Sequence, residues 1–244
     1  MFKFSPANTK IKKLHEVYKL RKFNKKTGKQ IFSFDLLSGH SCPGANECLS
    51  KVVEDNGKRK LVDGKDMEFR CFSASQEVVY TGVYNLRKAN FDLMKSLKTN
   101  SDITEELLRV FPKNTGIVRF HVSGDVFNKE QLFAYFNLAR ENKNTKFYGY
   151  TKSLRLVTQH LDLFPSNFAL VASKGGRYDN LIDKFNLPFS QVVYSEQEAK
   201  ELGLPLDDDD SHCVLGKSCS LLIHNNGPAG SLQAKLHSEK LRKK

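Results

Sequence analysis

The 244-residue chain has no tryptophan, only three methionines and seven prolines, and draws its aromatic content from 18 Phe and 8 Tyr. No apolar run approaches the roughly 18 residues of a membrane-crossing helix, so no membrane association is expected. Met1-Phe2-Lys3-Phe4-Ser5 lacks the apolar stretch of a secretory signal. Five cysteines make an odd set, a poor basis for a disulfide framework. Without an export signal they imply a reducing compartment, and hence a cytoplasmic protein whose thiols are free to take a metal. Several reaction classes lack their signatures: there is no G-x-S-x-G elbow, Walker loop or H-E-x-x-H. A nicking enzyme built on Tyr148 or Tyr150 would want a His-x-His pair, and the chain has none.

Charge is what the chain has in excess. Lys and Arg number 39 against 27 Asp and Glu, a net +12. Much of the excess sits at the two ends, from Lys10 to Lys29 and from Lys235 to Lys244. Basic ends of this kind suit a phosphate backbone, so nucleic acid is the expected partner, bound with strong salt dependence.

Periodicity gives a basic amphipathic helix over 8–22 and a strand over 31–37. Residues 50–68 are polar, with the turn pairs Asn56-Gly57 and Asp63-Gly64, and read as an inserted hairpin or flap. A helix is expected over 75–97, and another from Ser101 to the Phe111-Pro112 stop. Thereafter strands at 117–122, 146–150, 168–172, 191–194 and 219–223 alternate with helices. Asn128 and Ser195 are placed to cap two of those helices. The run Asp207–Asp210 reads as an exposed loop. Such alternation predicts an α/β fold with a mainly parallel sheet, either an open sheet or a barrel. The organisation expected is a basic helical arm at 1–30, one α/β domain at 31–232 carrying the flap at 50–68, and a basic tail at 233–244.

Each strand leads into small, polar or charged residues. Ser123-Gly124-Asp125, Thr151-Lys152-Ser153, Ser173-Lys174-Gly175-Gly176 and His224-Asn225-Asn226-Gly227 all follow strands. In parallel α/β folds that edge is where sites are built. The turn His40-Ser41-Cys42-Pro43-Gly44-Ala45-Asn46-Glu47-Cys48 belongs to the same edge, and Cys71 returns at the start of a helix. Thiolates select zinc or iron–sulfur clusters over hard cations, so Cys42, Cys48 and Cys71 are candidate ligands. The spacing C-x5-C-x22-C matches neither a zinc ribbon nor a ferredoxin. A fourth ligand is sought in Cys213, Cys219, a histidine or an external group, with Cys213 preferred. Asp125 is a candidate base or ligand-binding carboxylate. Lys152 and His224 join it as catalytic candidates, and Ser123, Gly124 and Lys174 as cofactor-binding ones. His121, within a strand, reads as a core histidine.

These motifs resemble a family. Cys42-Pro43-Gly44-Ala45…Cys48…Cys71, Phe120–Phe127, Phe147–Ser153 and His224–Ser231 are similar to the uncharacterised phage proteins called gene product 88, over about residues 30–231. A more distant similarity is to radical S-adenosylmethionine enzymes. It implies an incomplete (β/α) barrel, with Cys42, Cys48 and Cys71 holding a [4Fe–4S] cluster and Gly124-Asp125 meeting S-adenosylmethionine. The expectation is an iron–sulfur, radical-SAM-like phage protein of the infected cell's cytoplasm, acting on nucleic acid or nucleotides. The alternative is a nucleic-acid-binding accessory protein whose cysteines hold a structural zinc.

Overall fold

A computed structural model describes residues 1–15 and 30–223. His224, the basic tail and the whole Lys-rich segment 16–29, with the part of the expected 8–22 helix that falls in it, lie outside the described residues.

The chain opens with β1 (Ser5–Pro6) and a short α1 (Thr9–Lys12), capped by Asn8 and continued by a 3₁₀ turn through His15. Then come β2 (Gln30–Phe34) and the hairpin β3 (Ser50–Asp55) and β4 (Lys58–Asp63). Three helices follow: α2 (Phe72–Val79), α3 (Thr81–Ser96) and α4 (Asn100–Arg109). The remainder alternates as β5 (Thr115–Phe120), α5 (Lys129–Glu141), β6 (Lys146–Thr151) and α6 (Leu154–Val157), the last extended by a 3₁₀ stretch to Leu163. It ends with β7 (Phe168–Ser173), α7 (Asn180–Lys184), β8 (Phe189–Val193), α8 (Glu196–Glu201), α9 (Ser211–Val214) and β9 (Cys219–Leu222).

Seven strands form one curled sheet in the order β1-β2-β5-β6-β7-β8-β9, a half-barrel, while β3 and β4 pair only with each other. Within the seven-stranded sheet every pairing from β2 to β9 is parallel and only that of β1 with β2 is antiparallel. Each parallel strand lies beside the one before it, so the sheet winds in a single direction and brings every strand end to one rim. The hairpin occupies 50–63, within the 50–68 stretch that the sequence marks as an inserted hairpin or flap.

Register sorts the core into two faces. Ser33, Arg119, Tyr148 and Ala169 form one cross-strand row, and Phe34, Phe120, Gly149 and Leu170 the next. The second row and its neighbours Val118, Phe147 and Phe168 pack against α3, α4 and α5. Phe120 stacks on Tyr135 of α5 at 3.9 Å between ring centroids. Burying each such ring is worth about 1.5–3 kcal/mol, which makes this aromatic layer the main stabiliser of the scaffold. On the opposite face Ile31, Ile117, Tyr148 and Val171 meet Ile11 and Leu14 from the N-terminal segment and Cys213 and Val214 from α9.

Four expectations are corrected. The strand expected to reach residue 37 stops at Phe34, because Asp35 turns inward and its Oδ1 accepts from the Val122 and Ser123 amides (2.7 and 3.4 Å). The helix over 75–97 is two helices, broken where Tyr80 is extended at φ −103°, ψ 103°. His121 lies beyond the end of β5 in a left-handed turn at φ +63°, not within a strand. Asp207–Asp210 is not simply an exposed loop: Asp207 and Asp210 are buried against the sheet.

Candidate functional site

The cysteine turn lies across the rim. Ser41 Oγ donates to the Leu37 carbonyl (2.7 Å) and accepts from the Asp125 amide (3.3 Å), joining the turn to the loop after β5. The Arg177 amide donates to the Gly44 carbonyl (2.9 Å) and the Glu47 amide to the Gly175 carbonyl (3.1 Å), joining it to the loop after β7. Cys71 comes from the other direction, at the N-cap of α2. The Glu68 and Phe69 amides donate to the Glu47 carbonyl (2.8 and 3.1 Å), which brings that approach to the turn.

Cys42, Cys48 and Cys71 are half-buried free cysteines that feel one another electrostatically. Burial pushes the Cys42 thiol well above its ordinary value, and Asp125, Cys71 and Cys48 push it further. Burial likewise raises Cys48, against a pull from Lys152. Burial, with Cys48 adding, raises Cys71 to about 11. Thiolates here would repel one another and Asp125, so the three thiols stay protonated unless a cation joins them, which is the electrostatic demand that a metal centre meets. Among the described residues no three His, Cys, Asp or Glu side chains are gathered as a ready single-ion site.

The other rim candidates hold the loops together. Asp125 is buried, with Oδ1 accepting from the Val126 amide and Thr151 hydroxyl (2.7 Å each) and Oδ2 from the Lys152 amide (2.8 Å). Burial raises its carboxyl, against these stabilising hydrogen bonds. Lys152 Nζ donates to the Ser173 carbonyl (3.1 Å) and hydroxyl (2.9 Å) and to the Lys174 carbonyl. Ser123 Oγ donates to Glu77 (2.8 Å). Gly124, at φ +88°, has no room for a Cβ, which would stand 2.5 Å from Ser41 Oγ. Lys174 Nζ lies 4.1 Å from the Phe189 ring centroid.

Sequence reading missed the acid that ties Cys71's helix to this rim. Glu77 is fully buried and accepts from the Ser38 amide and hydroxyl, the Ser123 hydroxyl and Arg87 Nη1 (3.1, 2.8, 2.8 and 3.2 Å). Its signal was its spacing: Glu77 continues the helical face of the buried Ser73 and Ala74. Asp35 gave a similar sign, a lone carboxylate between Phe34 and Leu36.

Cys213 is not with the other three. It lies on the opposite face, where Sγ donates to the Gly149 carbonyl (3.3 Å) and its charged and thiol neighbours are Asp210, Arg119, Cys219 and Asp207. Cys219 belongs to this second centre as well. At its middle Asp210 pairs with Arg119 and with Lys10 Nζ (2.7 Å) and accepts from Tyr148 (3.1 Å). Burial and Asp210 push the Tyr148 hydroxyl well above its ordinary value, the opposite of a nicking nucleophile. Its burial is the physical reason, and Tyr150 shares it.

The fold and the rim define a class: a singly wound, mostly parallel α/β half-barrel with two cysteines in the loop after its first parallel strand and a third at the N-cap of α2. The family model for Gene product 88 matches residues 4–242, so the chain belongs to that phage family. Neither the curated proteins nor the solved structures yield a match.

Proposed function

We propose that this is an iron–sulfur protein of radical-SAM-like type, acting on nucleic acid or nucleotides. The observation that carries the reading is that Cys42 and Cys48, in the loop after β2, and Cys71, at the N-cap of α2, lie near enough for a charge on one to raise another's thiol. The donor set fits, being three sulfurs, the soft ligands that iron–sulfur clusters take. When bound, a [4Fe–4S] cluster with one iron free of protein ligands would supply one-electron chemistry to S-adenosylmethionine.

The chain's own residues do the positioning. Ser41 and Gly124 bring the cysteine turn onto the Asp125 loop, and Asp125 fixes the backbone from Thr151 to Lys152. Lys152 clamps the loop after β7, and Glu77 and Arg87 anchor the helix that Cys71 begins. With these groups engaged, the rim's backbone and Lys174 are left as the surface for a cofactor or substrate. The net charge of +12, concentrated towards the ends of the sequence, supports a nucleic-acid partner.

One observation favours a second reading. Asp125, Ser123 and Lys152 are spent on internal bonds, as expected of a structural centre, so a zinc-holding accessory protein that binds nucleic acid without catalysis remains the competing account. The two separate on Cys42→Ala in protein prepared without oxygen. The enzyme reading predicts loss of iron, sulfide and visible absorbance together with S-adenosylmethionine cleavage. Full retention of iron by that variant would overturn it. A colourless wild type with about one zinc per chain, binding nucleic acid in a salt-dependent way, would establish the second.

A further inference from the structure

A cavity of about 240 Å³ opens between the long-helix face of β7 and the segment of α6 with its 3₁₀ extension. Its cause is a split in the sheet. β6 and β7 pair from Phe147↔Phe168 to Thr151↔Ala172, but β8 meets β7 only at Ala172 and Ser173. Over 168–171, β7 therefore has no partner on β8. Val157, Leu161 and Phe164 cover the gap on one side, Leu170 and Ala172 floor it, and Leu187 closes one end. Leu161 is 37% exposed, so the cavity has a way in.

The lining holds a single polar side chain, Thr151, whose hydroxyl already donates to Asp125. A charged ligand would lose its hydration here and gain no partner, which excludes ions and nucleotides. The backbone contributes one polar feature. The Ala172 and Lys174 amides donate towards β8, to the Pro188 and Ser190 carbonyls (2.9 Å each). Strand alternation aims the Leu170 amide and carbonyl the same way, into the gap where β8 has not begun to pair. As for size, an engineered apolar cavity of about 150 Å³ takes up benzene.

We propose that this cavity is a binding site for a small uncharged aromatic molecule of one or two fused rings carrying one hydrogen-bonding group. The ring occupies the apolar space beneath Val157 and Leu161, and its polar group meets the Leu170 backbone. The site is independent of any metal at the rim, although Thr151 gives it a wall in common with the Asp125 loop.

Indole is the probe, titrated into the full chain labelled at Leu and Val methyl groups, with benzoate as the charged control. The site predicts saturable shifts confined to methyls such as those of Leu154, Val157, Leu161, Leu170 and Leu187. Benzoate should produce none, and Ala172→Leu, which fills the floor, should weaken indole binding at least tenfold. If Ala172→Leu does not fold, Leu161→Trp blocks the same space from its exposed side. Absence of saturable shifts in the wild type, shifts scattered over the surface, or unchanged binding by a filled variant would each overturn the proposal.

Discussion

Gly44 of the cysteine turn rests on the backbone of Lys152: a Cβ added to it would stand 2.0 Å from the Lys152 carbonyl oxygen. That contact sets how close the thiol loop lies to the loop after β6, and neither partner is a flexible side chain. The rim is a stack of backbone against backbone.

Gly44→Ala should therefore cost about 3 kcal/mol or more, the upper end of overpacking penalties, and should lower metal loading along with stability. Gly82→Ala is the control. It lies in α3 with nothing within 4 Å of an added Cβ, and it should stabilise by about 0.5–1 kcal/mol. Urea unfolding of both variants checks the contrast.

The Glu77–Arg87 pair is buried, and Glu77 also satisfies Ser38 and Ser123. Arg87→Ala leaves that carboxylate without its cation and should cost about 3–5 kcal/mol. Because Glu77 anchors the helix begun by Cys71, metal content measured on the folded fraction should fall as well. An unchanged metal content would detach this pair from the site.

Acid should destabilise the fold through two groups. Burial holds His121 neutral, lowering it to about 3, with a further push from Arg119. Between about 6.5 and 3 the unfolded chain binds a proton that the native state refuses, so stability falls as pH falls through that window. Burial tends to raise Asp210, but Arg119 and Lys10 prevail and hold it below its ordinary value. Its contribution is present above the usual carboxylate range and is lost as pH falls through the native value. Asp125, raised by burial, works the other way and gains stability as pH falls, so the test is the difference between chains: from pH 7 to about pH 4 the urea midpoint of the wild type should fall more steeply than that of His121→Gln, most clearly near pH 6.

The ion network on the opposite face has a graded prediction. Lys10 is 30% exposed at its side chain and Arg119 only 12%. Arg119→Ala should destabilise by about 3–5 kcal/mol, as the breaking of a buried pair does. Lys10→Ala should cost less, because water can reach part of its site. Equal losses in thermal or urea unfolding would contradict this ranking.

Much of the scaffold was legible because local signals agreed with it. Ile117, Val118 and Phe120 lie in an apolar run, Asn128 caps α5 through the Gln131 amide, and Ser195 caps α8 through the Glu198 amide. The strand-end placement of Cys42, Asp125, Lys152 and Lys174 was likewise readable from order along the chain. What the sequence did not reveal depends on contacts between distant segments. Asp35 ends β2 because of amides 87 and 88 positions away, and Asp210 is buried because Arg119 is there to receive it. Cys213 looked like a fourth ligand only by residue type. Its helix, α9, puts it on the other face of the sheet.

The central claim, that Cys42, Cys48 and Cys71 together hold an iron–sulfur cluster, is tested most directly by iron, sulfide and zinc analysis of protein prepared without oxygen, beside a Cys42→Ser/Cys48→Ser/Cys71→Ser variant. The account predicts about four irons and four sulfides per chain in the wild type and none in the variant. A wild type without iron, or a triple variant that keeps it, would contradict the account.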